Sequence, residues 1–134
     1  MKLLPFLFLF LSVAAFAEEP TGIKMETLLK ADKSWDGVAY EKYPDGKPEI
    51  SMLKISIPAH TKMKWHTHPM PNAAYVLSGE ITVEKKNGET KHIKAGEVLP
   101  ETVNSLHRGT TGDLPVELIV FYAGSKGMKL FEAE

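Results

Sequence analysis

The sequence predicts an all-β domain of sandwich or barrel type, headed by one short N-terminal helix. Three observations carry that prediction. Short apolar stretches alternate with period 2, Gly and Pro turn signals separate them regularly, and 134 residues suit one compact domain. No internal repeat and no low-complexity linker interrupts the pattern.

The elements follow in chain order. Met1-Lys2 leads into an apolar run from Leu3 to Phe16 that closes Ala15-Phe16-Ala17, the pattern of a secretory signal peptide cleaved after Ala17. The run falls short of the roughly 20 residues that a spanning helix takes. Residues 1–17 are thus expected to be a signal peptide and 18–134 a single domain. The expected location is periplasmic or secreted, with no membrane anchor after cleavage. No Arg pair precedes the apolar run, so passage as an unfolded chain is expected.

From Lys24 to Trp35 the spacing of Met25, Leu28 and Leu29 predicts an amphipathic helix, ended by Asp36-Gly37. Val38-Ala39-Tyr40 then precedes the turn signal Pro44-Asp45-Gly46. Ile50 to Ile57 sets Leu53, Ile55 and Ile57 against Lys54 and Ser56, as a half-buried strand does. Ala73–Ser78 and Ile81–Lys85 read as two further strands meeting at Gly79-Glu80. Asn87-Gly88 reads as a two-residue hairpin turn with left-handed residues, inside a solvated, charged hairpin from Glu84 to Lys94. Val116–Ala123 is the most apolar strand and is expected at the centre of its sheet.

Composition narrows the chemistry. With no cysteine there is no disulfide framework, no thiolate metal site, no thiol nucleophile and no lipoprotein anchor. A net charge of −1 gives no electrostatic footprint for nucleic acid or a membrane surface. Any metal site must draw on His, Asp, Glu or Asn, so each of the five histidines needs a place.

His66-Thr67-His68 is the most informative tripeptide. On a strand, residues i and i+2 share a face, so both imidazoles can reach one ion. Gly79, Gly96 and His107 follow at spacings that resemble the cupin superfamily. Its first motif runs Gly-x5-His-x-His-x3,4-Glu-x6-Gly and its second Gly-x5-Pro-x-Gly-x2-His-x3-Asn. His66, His68 and Gly79 fill slots of the first; Gly96 and His107 keep the separation of the second. The resemblance covers about residues 50–123 and implies a double-stranded β-helix, or jelly-roll barrel, of the compact microbial type. It also implies a homodimer and a divalent transition metal (Zn, Cu, Mn, Fe or Ni) on His66, His68 and His107.

Departures from the motifs bear on that site. The opening Gly slot holds His60, and the Glu slot holds Asn72. In the second motif, Thr102, Asn104 and Thr111 replace Pro, Gly and Asn. Asn104 suits a Gly slot because Asn enters the left-handed region more readily than most residues. With Asn72 in the Glu slot the site becomes three neutral imidazoles, with open positions for water, dioxygen or a chelating substrate. Asn72 is expected to hydrogen-bond around the site, or to coordinate weakly through its carbonyl oxygen.

The other polar residues have simpler readings. His60 is expected in a surface turn and His92 on the polar hairpin. Glu101 is usually solvated in such a context, but acts as a general acid or base if it turns inward. Arg108, Trp65 and Thr67 alternate away from the metal, while Met63, Met70 and Tyr75 are assigned to the core, sheet packing or a dimer contact and not to substrate. Of Phe121 and Tyr122, one faces the barrel interior.

Two functions fit these residues. One is a metal-dependent enzyme acting on a small chelating molecule, with dioxygenase chemistry as the reaction type. The other is a non-catalytic small-ligand or metal-binding module, since the fold alone does not decide function. An empty structural scaffold is a third possibility. A chain exported unfolded takes its ion outside the cytosol, where the affinity order favours copper or zinc.

Overall fold

The computed structural model describes residues 22–134, and the signal-peptide reading of residues 1–17 lies outside the described residues. The strands are β1 (Pro48–Ile57), β2 (His66–Thr67), β3 (Asn72–Ser78), β4 (Glu80–Lys85), β5 (Thr90–Lys94), β6 (Val98–Pro100), β7 (His107–Thr110), β8 (Val116–Ser125) and β9 (Glu132–Ala133). They form two antiparallel sheets, ordered β1-β8-β3-β6 and β5-β4-β7-β2-β9. The architecture is a double-stranded β-helix. Its most apolar strand, β8, lies between β1 and β3, as expected of a strand buried among neighbours.

Alternation decides which side chains face inward. Leu53, Ile55 and Ile57 of β1 face in, as do Leu118, Val120 and Tyr122 of β8 and Ile81 and Val83 of β4. Tyr122 is therefore the interior member of its pair. Phe121 is exposed on the outer face, beside Met52, its partner across the ladder.

The helix expected over Lys24–Trp35 is absent. The segment has no regular secondary structure beyond an isolated bridge between Lys33 and Ala39. Met25 and Leu28 are 89% and 55% exposed, so no surface covers the apolar stripe a helix would present. An isolated helix this short is marginal in water. Contacts with β6 hold the end of the segment instead: Trp35 N–H donates to the Pro100 carbonyl (2.9 Å), and Tyr40 Oη donates to the Glu101 carbonyl (2.7 Å).

The β4–β5 turn also differs from expectation. Gly88 alone of the pair Asn87-Gly88 has a positive φ. Gly88 N–H donates to the Lys85 carbonyl and Lys85 N–H to the Glu89 carbonyl, which describes a tight turn followed by a left-handed glycine bulge. His60 and Asn104, which stand in two of the motif Gly slots, do adopt left-handed φ values of 54° and 53°. Gly79 has no such latitude. Its φ is 74°, and a Cβ there would come within 1.9 Å of the Pro115 carbonyl oxygen.

Candidate metal centre

The register of the five-stranded sheet builds the site. His66 of β2 pairs directly with His107 of β7, and His68 follows two positions after His66. The three ring centroids lie 4.6–5.1 Å apart. One nitrogen from each ring falls within 4.8 Å of the others, a grouping able to hold a metal ion.

Backbone carbonyls orient every ring. His66 Nδ1 is 2.9 Å from the Lys64 oxygen, His68 Nδ1 is 2.8 Å from the Leu130 oxygen, and His107 Nδ1 is 2.8 Å from the Ser105 oxygen. A carbonyl oxygen only accepts, so each Nδ1 carries the hydrogen and each Nε2 keeps a lone pair. Burial pushes the His68 imidazole down to about 4 and lowers His66 and His107 as well. All three are neutral at pH 7, the state a metal ligand requires.

A cavity of about 420 Å³ opens beside the imidazoles. Its walls are the inward aliphatic side chains of both sheets, with Met63 and Tyr122 among them and Phe131 and Ala133 contributed by the C-terminal segment. Burial raises the Tyr122 hydroxyl to about 12, with the nearby Glu101 carboxylate adding to the shift, so it stays protonated.

Glu101 has turned inward. The residue is 8% exposed and lines the cavity, with Oε2 3.3 Å from His107 Nε2. Neither atom has a hydrogen-bond partner. Burial raises the carboxyl to about 7, and the neighbouring His66 opposes the shift only when it is protonated. The sequence carried a signal for this placement, because alternation puts residue 101 on the same face as the buried Leu99. The C-terminal contribution had no comparable local signal.

The remaining sequence candidates lie elsewhere. Asn72 is buried, and its Nδ2 donates to the Met70 carbonyl at 3.2 Å, but it does not line the cavity. His60 is exposed beside Asp113, and exposed His92 contacts Glu80 and Thr82. Arg108 points away from the cavity, pairing with Glu84 at 2.5 Å and stacking on Trp65 at 4.3 Å.

The donor set suits a divalent transition metal: three neutral imidazoles converge, and the Nε2 of His107 and Oε2 of Glu101 are both orphaned. Comparisons with known proteins point the same way for the fold. The DMSP lyase DddQ from Ruegeria pomeroyi is 18% identical with a TM-score of 0.57, covering 63% of this chain and 42% of that one. The chain thus spans less than half of that enzyme's length. A double-stranded β-helix protein from Klebsiella pneumoniae is 21% identical with a TM-score of 0.54, covering 69% of this chain and 90% of that one. Oxalate decarboxylase from Lactobacillus farciminis is 19% identical with a TM-score of 0.53, covering 63% of this chain and 26% of that one. No curated protein matches. The family described as "Cupin domain" matches residues 53–122, more than half of the chain, with His66, His68 and His107 inside it. The chain belongs to the cupin domain family.

Proposed function

We propose that this protein is an exported, metal-dependent cupin enzyme acting on a small molecule that carries a chelating polar group on an apolar body, with dioxygen chemistry as the reaction class. The observation that carries the proposal is the convergence of one imidazole nitrogen from each of three histidines on the wall of an aliphatic cavity. His66, His68 and His107 would hold the ion. A divalent transition metal there supplies Lewis acidity and, where redox-active, a site for dioxygen chemistry.

The chain's own residues do the rest. Aliphatic walls bind the apolar body and exclude water, which strengthens polar interactions at the imidazoles. The Tyr122 hydroxyl, its ring 5.6 Å from that of His68, keeps its proton and can donate to an anionic substrate atom. Asn72, buried at the start of β3, is proposed to support the site from behind and not to bind the ion. DMSP lyase and oxalate decarboxylase act, by their names, on small molecules, which supports a small-molecule substrate here. Exposed Ile50, Met52 and Phe121 form an apolar outer face on the four-stranded sheet, and we propose that a second copy covers it.

A second reading, a binding module without turnover, is favoured by the shortage of ionisable groups. Apart from the three histidines, the cavity is lined by only Lys64, Glu101 and Tyr122 of that kind among the described residues. One purification tests both readings. Protein recovered from the exported fraction should be a dimer by light scattering and hold about one ion per chain. Iron with oxygen uptake on diketones or thiols supports the enzyme. Zinc or copper without turnover supports the module. Full metal content in a His66→Ala/His68→Ala double variant would sink both.

A further inference from the structure

Glu101 is the carboxylate that faces the three imidazoles, and no lysine or arginine among the described residues pairs with it. Its backbone is clamped from two sides. The N–H donates to the Asn72 carbonyl at 2.9 Å, and the carbonyl accepts from the Tyr40 hydroxyl at 2.7 Å. With the main chain fixed across from Asn72, the side chain extends into the cavity, where Oε2 is buried and receives no hydrogen bond.

That oxygen lies 3.3 Å from His107 Nε2. The Nδ1 of the same ring donates to the Ser105 carbonyl, so Nε2 presents a lone pair to the carboxylate. Two lone pairs so placed repel unless a cation or a proton lies between them. The separation is also what two ligands of one ion require. With metal–ligand bonds of about 2.1 Å, tetrahedral or octahedral angles set neighbouring donor atoms about 3.0–3.4 Å apart.

We propose that Glu101 is the fourth protein ligand of the centre, delivering from the end of β6 the carboxylate that Asn72, across the ladder, does not supply. The inference rests on the three-histidine reading and deepens it. A carboxylate ligand removes one unit of positive charge from the site and adds a hard oxygen donor, so the substrate need not bring a negative charge to balance the ion.

Cobalt(II) chloride added to the full domain provides the test, because cobalt absorption in the visible range reports the coordination sphere directly. Glu101→Gln keeps the volume and a polar tip, Glu101→Ala removes both, and melting of the metal-free forms establishes that each is folded. Both variants are expected to bind cobalt(II) at least about tenfold more weakly and to show a changed visible spectrum. A wild-type spectrum in both variants overturns the proposal even where affinity falls, since Glu101 would then act from outside the coordination sphere. Wild-type protein that binds no cobalt(II), or His66→Ala/His68→Ala protein that binds it equally well, overturns the three-histidine reading and Glu101 with it. Loss of binding in the double variant beside an unchanged Glu101→Gln spectrum removes Glu101 alone.

Discussion

His68 and Glu101 show how burial acts on single residues in opposite directions. The imidazole falls from 6.5 to about 4, so between those values the unfolded chain binds more protons, and stability is lost as pH falls. The carboxyl rises from 4.5 to about 7, so the folded chain binds more protons there, and its contribution to stability is lost as pH rises through that window. Glu101→Gln removes only the second effect. In metal-free protein the variant is expected to match wild type near pH 4.5, and at pH 8 to be more stable by up to about 3 kcal/mol and so to melt at a higher temperature. Scanning calorimetry at the two pH values checks this, and a pH-independent difference would contradict it. The three histidines were legible because their spacing is local: i and i+2 on one strand, and a fixed Gly-to-His separation. Glu101 was half legible. Alternation gives its face, but its importance comes from lying across the ladder from Asn72, and that register is a long-range property.

At the scale of elements, legibility followed length. β1, β3, β4 and β8 are long enough for alternation to show, whereas β2, β6 and β9 have two or three residues each and carry no period. The expected N-terminal helix failed for a related reason: three apolar residues at helical spacing need a surface to cover, and the barrel offers none there. The element whose role was hidden is the C-terminal strap. Leu130 gives its carbonyl to His68 Nδ1, Phe131 lines the cavity, Ala133 pairs with His66, and Glu134 N–H donates to the Trp65 carbonyl. The strap therefore fixes the tautomer of His68 and borders the cavity. Deleting residues 129–134 is expected to leave the sheets intact by circular dichroism while weakening metal affinity at least about tenfold in competition with a chelator. Unchanged affinity would show that the strap does not hold His68.

At the scale of the whole molecule, the interior has two uses. The inward residues of both sheets are the hydrophobic core and also the cavity wall, so the barrel is incompletely filled beside its buried polar cluster. Alternation in the sequence identifies the inward face but not whether that face closes on itself. The fold buries His68, His107 and Glu101, leaves His66 half-buried, and sets His107 Nε2 3.3 Å from Glu101 Oε2. Those two atoms lack the hydrogen bonds that buried polar atoms normally make. An ion bound by the folded chain alone would satisfy both together, and with the ligands proposed above it would join β2, β7 and the end of β6 at one point. At a free metal concentration of 100 times Kd, linkage stabilises the folded state by about 2.7 kcal/mol. For a domain of this size the melting temperature should rise by about 10 °C. The His66→Ala/His68→Ala variant should show no rise, while retaining cooperative melting, because the remaining inward aliphatic residues still form the core. Thermal scans with and without added metal decide the matter. An equal rise in the double variant would mean that the stabilising ion binds elsewhere on the barrel.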